Sequence, residues 1–254
     1  NILFYSRKKP KKLSNKSWRY INLDKKINNI PKKVDKIFFF SSPYYNLNNL
    51  KKKVFLKELN WLKKIRKITN TKTFIYLSSS SVYLNNHPVG TAKIKCEKYL
   101  IKNSNYEYLQ IWRPYNLIGS ENLNLSDHFH NIFIKKFCLQ GKKNHHFYGS
   151  ANDERGYSSA KKFCKLITGK SNFKKSFIYN YGNSNTIKVK QIANIFKNIF
   201  EDRFKKRIKY SFNSTIKNIN TIKSNKIVRS FNAKENSYNI IKNYYLLKIK
   251  SYEK

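Results

Sequence analysis

Three cysteines and five histidines are the first residues to question for chemistry. Cys96, Cys138 and Cys164 are far apart and odd in number, without the close pairs that metal or redox sites use. They read as free thiols of a reducing compartment. Among His87, His128, His130, His145 and His146, the pair His128 and His130 is two apart, a spacing that a helix points to different faces. No cysteine or carboxylate cluster completes a ligand set, so no metal site is expected. That leaves hydroxyl, amide and cationic groups: the run Ser78-Ser79-Ser80-Ser81, then Lys93, Asn116 and Arg155. Taken singly, a polar strand end, one lysine among many and a surface arginine are ordinary features.

Whatever these side chains do, regular elements must position them. Residues 2–6 and 18–23 read as short strands, and 37–40 as a continuous apolar strand of the kind covered on both faces. From residue 48 a helical period sets Leu50, Val54, Leu62 and Ile65 on one face. Residues 73–77 form another buried strand, ended by the serines. Residues 91–102 suit a helix with Ala92, Cys96, Tyr99 and Leu100 inward, and 108–112 a further strand. Strand and helix alternating through short links predict an α/β fold, a parallel sheet doubly wound by helices with right-handed crossovers. After Gly119 the pattern loosens. Residues 129–139, 187–200 and 238–249 carry helical signal, and 176–181 reads as a strand. The expected division is a first domain over 1–120 and a smaller lobe over 121–254, with 147–181 returning to the sheet.

Charge sets the second boundary. Lys and Arg number 54 against 13 Asp and Glu, a net charge of +41. Such a chain adheres to polyanions at low salt. The lysines are spread evenly and accompany abundant Asn, Ile, Phe and Tyr, which is the signature of an AT-rich coding sequence rather than of a dedicated patch. No stretch approaches the roughly 20 apolar residues of a membrane span. No basic-then-apolar leader opens the chain, so a cytoplasmic protein without a membrane role is expected.

The ordered motifs carry a resemblance. Residues 73–83, Thr-Phe-Ile-Tyr-Leu-Ser-Ser-Ser-Ser-Val-Tyr, resemble the strand and serine turn of extended short-chain dehydrogenases/reductases of the NAD-dependent nucleotide-sugar epimerase/dehydratase kind. In that family the turn reads Ser-Ser-x-x-Val-Tyr-Gly, which makes Ser79 the catalytic hydroxyl. The family's Tyr-x-x-x-Lys falls on Val89-Gly90-Thr91-Ala92-Lys93: the lysine matches, while Val89 stands in the tyrosine's place. Residues 112–119 are similar to its Arg-x-x-Asn-x-x-Gly strand end, which would put Asn116 beside the substrate diphosphate or sugar. Phe147-Tyr148-Gly149, then Arg155-Gly156-Tyr157, resembles its Gly followed by Arg-Asp-Tyr, giving Arg155 to the nucleotide diphosphate. The Asp of that motif is Gly156, and the Asp seven positions after the arginine is Lys162. Residues 178–183 are similar to its Tyr-Asn-x-Gly turn. The likeness spans residues 2–200.

The resemblance implies NAD or NADP as cofactor and a nucleotide sugar as substrate, with hydride transfer at a sugar carbon. It assigns Lys93 to the nicotinamide ribose, and Ser6 and Arg7, at the end of the family's second strand, to the adenosine ribose. Two parts are lacking. A phenol titrates near 10 and needs a neighbouring cation to exchange protons at neutral pH; Val89 has no proton to exchange. None of the seven glycines precedes Gly90, so the Gly-rich phosphate turn is absent, as from a chain that has lost an N-terminal strand and helix or from a natural protein that dispensed with the cofactor. Family members pair through two helices. Here residues 93–102 would serve a homodimer, with Lys95, Lys98 and Lys102 bringing like charge to it. The rival readings are a non-catalytic descendant that binds nucleic acid or another polyanion, and a structural subunit.

Overall fold

The computed structural model describes residues 4–6, 18–25, 27, 30–40, 52–84, 87–103, 105–119, 129–213 and 229–252. The chain forms two compact units, one of Asn1–Ile111 with Lys174–Phe177, the other of Trp112–Phe173 with Ile178–Lys254.

In the first unit, β1 (Phe4–Ser6) pairs in parallel with β2 (Trp18–Tyr20). β3 (Lys33–Phe39) runs parallel to β4 (Asn70–Leu77), in register from Lys33 opposite Asn70 to Phe39 opposite Tyr76. On the other side of β4 begins β5 (Tyr108–Pro114). Thr73, Phe74, Ile75 and Tyr76 of β4 are all buried, so both faces of the strand are covered, as for a central parallel strand. Helix α1 (Lys52–Ile68) turns Glu58, Trp61, Leu62 and Ile65 inward at helical spacing, with Asn60, Lys63 and Lys67 outward.

After β4 a 3-10 turn (Ser80–Tyr83) leads to α2 (Pro88–Lys102). Pro88 at the first helical position forfeits no hydrogen bond. His87 before it caps the helix, its Nδ1 accepting the Gly90 amide at 3.4 Å. α2 packs on α1 and buries Gly90, Ala92, Lys93, Cys96, Glu97 and Leu100. Parallel strands joined by helices are the wound α/β arrangement that the alternation predicts.

The second unit takes in β6 (Asn116–Ile118), α3 (Phe129–Phe133), which widens into a π-helical turn over Ile134–Leu139, β7 (Asn144–Tyr148) and β8 (Glu154–Ser159). There follow α4 (Ala160–Lys170), β9 (Phe177–Gly182), β10 (Thr186–Lys188) and α5 (Val189–Phe204). β11 (Lys209–Asn213), β12 (Arg229–Asn232) and α6 (Ser237–Lys250) complete it. β6 and β8 are parallel, β8 and β10 antiparallel; β7 pairs with β11 and β9 with β12, both in parallel. The stretch that reads as loosely patterned thus has a buried cluster of its own. Phe133 is at its centre, 4.3 Å from the Phe147 ring and 5.4 Å from Phe196, with Tyr245 edge-on to Phe196. Among the described residues no helix is long and apolar enough to cross a membrane.

Candidate functional site

In the first unit the candidate site grows from the end of β4. Ser78, buried, donates its hydroxyl to Glu97 Oε1 at 2.5 Å, which ties the strand end to α2. Ser79 is half-buried and caps the 3-10 turn. Its Oγ accepts the Ser81 amide at 3.1 Å and lies 2.9 Å from the Ser81 hydroxyl, so one hydroxyl proton of the pair is left for a ligand oxygen.

α2 meets this turn through Gly90. A Cβ placed there would fall 2.1 Å from the Ser81 carbonyl oxygen, so only glycine permits the approach. Val89, half-buried, is the residue beside that contact.

One turn on, Lys93 is buried. Its Nζ donates to Glu58 Oε1 at 2.7 Å and to the Leu77 carbonyl at 3.0 Å, and rests 5.1 Å from the Tyr76 ring. Tyr76 donates its hydroxyl to the same Glu58 oxygen at 2.8 Å. Burial, then the Glu58 charge, hold the Tyr76 phenol well above its usual value and push the Cys96 thiol up to about 12. Neither is a base or a nucleophile at neutral pH. Lys93 therefore reaches the strand end two residues before Ser79, but as the counter-ion of a carboxylate. Glu58 is the residue that sequence reasoning missed. A signal existed: Glu58 shares the stripe of Val54, Leu62 and Ile65 at helical spacing, where an acid is out of place.

In the second unit, adjacent parallel strands bring Asn116 and Arg155 together. Asn116 is opposite Tyr157, and its Nδ2 donates to the Gly156 carbonyl at 3.2 Å. Arg155 is half-buried with its guanidinium 5.6 Å from the Phe129 ring, and its buried Nε has no hydrogen-bond partner among the described residues. A Cβ at Gly156 would lie 2.0 Å from the Asn183 carbonyl oxygen, which explains glycine where the resembling motif has aspartate.

Asn183 is the knot behind these strands. Its Nδ2 donates to the carbonyls of Tyr157 at 2.8 Å and Glu235 at 2.6 Å. The Tyr157 amide is taken by Ser237 Oγ at 2.9 Å, and the Ser159 amide by Glu235 Oε2 at 2.9 Å. Lys162, in the place of a second aspartate, pairs with Glu235 at 3.2 Å. Ser6 ends β1, and Arg7 is outside the described residues. Among the described residues no group of three or more His, Cys, Asp or Glu gathers to hold a metal.

No family model matches the chain, and no curated protein does. Solved structures do. MoeE5 in complex with UDP-glucose and NAD superposes with a TM-score of 0.69 at 13% identity, over 99% of this chain and 91% of that one. RMD from Pseudomonas aeruginosa, complexed with NADPH, gives 0.62 at 13% identity over 90% of each chain. The UDP-N-acetylglucosamine 4-epimerase from Methanobrevibacter ruminantium M1, in complex with UDP-N-acetylmuramic acid, gives 0.61 at 15% identity, over 85% of this chain and 77% of that one. The chain thus has the Rossmann-like α/β fold of NAD-dependent nucleotide-sugar epimerases and dehydratases. Its structural neighbours include UDP-sugar 4-epimerases and a dTDP-glucose 4,6-dehydratase, the kind of enzyme that its motifs resemble.

Proposed function

We propose that the chain binds a nucleotide sugar, its second unit receiving the diphosphate through Arg155 and Asn116. The observation that carries this reading is Arg155, a half-buried guanidinium resting on Phe129 whose buried Nε has no hydrogen-bond partner among the described residues. A buried donor left unmade costs about 1–3 kcal/mol, and a phosphate oxygen relieves it. The planar fork of arginine suits that ligand better than a lysine would. Asn116, tied through Nδ2 to Gly156, keeps its Oδ1 for a hydroxyl of the sugar or ribose.

RMD holds NADPH and MoeE5 holds NAD with UDP-glucose, so NAD(P) is the cofactor class to which this reading belongs. When bound, such a group supplies a hydride acceptor or donor. The residues of the first unit do not fit its reactive end. Val89 carries no proton, and Lys93 is matched to Glu58 rather than offered to a ribose. Epimerisation, dehydration or reduction is therefore the ancestry of the site, and ligand binding its proposed present function.

Titration calorimetry with UDP-glucose at about 0.3 M salt, where exposed charges are screened, tests this. Arg155→Met should weaken binding about 10- to 100-fold, the worth of a charged hydrogen bond. Lys161→Met, an exposed neighbour on α4, should leave it unchanged. Absence of UDP-glucose binding by the native chain would refute the reading.

A further inference from the structure

We infer that Glu58 is a positioning residue that locks Lys93 into a buried ion pair and so withholds it from a dinucleotide. The inference rests on reading Lys93 as the counterpart of a cofactor lysine, and it concerns the carboxylate that holds it.

Glu58 is 0% exposed and Lys93 6% exposed by side chain, so neither charge has water to turn to. A buried carboxylate requires a partner. Here the ammonium at 2.7 Å and the Tyr76 hydroxyl at 2.8 Å converge on its Oε1. An ammonium has three protons, and Lys93 spends two, on Glu58 and on the Leu77 carbonyl at 3.0 Å. The second carboxylate nearby, Glu97, is engaged by Ser78. If Lys93 swung to a ribose, it would give up a 2.7 Å ion pair with a carboxylate that burial keeps from water. The lock also makes sense of Val89. With no phenol at that position, nothing on α2 needs the lysine as an activating cation.

The test is NADH titration of the full chain at about 0.3 M salt, for the native protein, Glu58→Gln and the double variant Glu58→Gln/Lys93→Met. The lock predicts that Glu58→Gln binds NADH at least tenfold more tightly than the native chain, and that adding Lys93→Met removes the gain. Equal or weaker binding by Glu58→Gln overturns it, and so does a gain that survives Lys93→Met. If no variant binds NADH, the lock is likewise refuted, while UDP-glucose titration of the native chain decides the nucleotide-sugar reading separately.

Should Glu58→Gln fail to fold, the native protein still answers. Under reductive methylation with formaldehyde, peptide mapping should find Lys93 unmodified when Lys95 and Lys98, exposed on the same helix, are methylated. Methylation of Lys93 at their rate overturns the lock.

Discussion

Replacing Gly90 by alanine sets two effects of known size against each other. In a helix, glycine is about 1 kcal/mol worse than alanine, so the change should stabilise α2 on propensity alone. Against that stands the packing. The new methyl would lie 2.1 Å from the Ser81 carbonyl oxygen and 2.8 Å from its carbon, against contacts that ordinarily begin near 3.4 Å. The obstacle is backbone, so no side-chain rotation clears it. Either α2 or the serine turn must retreat by more than an ångström, and overpacking of this kind costs about 1–3 kcal/mol. With a contact this short the clash outweighs the gain in propensity, and Gly90→Ala should destabilise the chain by up to about 2 kcal/mol net. Gly169 in α4 is the internal control. A Cβ there meets nothing within 4 Å, so Gly169→Ala should stabilise by about 0.5–1 kcal/mol. Urea unfolding followed by tryptophan fluorescence reads both. If Gly90→Ala stabilised the protein as Gly169→Ala does, the close approach of α2 to the serine turn would be wrong, and with it the placement of Ser79.

Two further outcomes follow from the same unit. Lys93→Met leaves the Glu58 carboxylate buried without its cation and should cost about 3–5 kcal/mol, whereas Lys93→Met with Glu58→Leu should recover most of that loss; effects that add to within ~0.5 kcal/mol in a urea cycle would dissolve the pair. His87 sets a pH dependence: burial lowers its pKa, so folding favours the neutral ring whose Nδ1 accepts the Gly90 amide. The stability it adds is complete above the unfolded pKa of about 6.5 and is lost as pH falls through the lower folded value. In melting curves from neutral to mildly acidic pH, His87→Asn, which keeps a cap, should lack that acid-side loss. Parallel curves would rule the cap out.

Much of the first unit was legible because β3, β4 and α1 are long and the outward lysines of α1 fall outside its apolar stripe. β4 reads as a buried strand from Phe74, Ile75 and Tyr76 alone. The second unit was harder to see. β6 and β10 have three residues each, too few to show a period. α4 buries only Phe163 and Ile167 amid Lys161, Lys162 and Lys165, so its stripe is lost in a run of charge. The positions of Ser79, Lys93, Asn116 and Arg155 could be named from motif order. What they touch could not, because Glu58 lies 35 residues from Lys93, and Asn183 reaches Glu235 across 52. Pairings of that range are decided by packing, which local sequence does not express.

The inward use of acids has a consequence for how the molecule behaves in bulk. Of 13 carboxylate side chains, Glu58, Glu97 and Asp153 are buried and Glu235 is only 6% exposed by side chain. Their burial leaves still fewer carboxylates outside to offset 54 cations. Such a particle is a polyelectrolyte whose compactness depends on the small anions condensed around it. Diluting the buffer should swell and loosen it through self-repulsion, and added salt should restore it by shortening the reach of each charge to under about 10 Å.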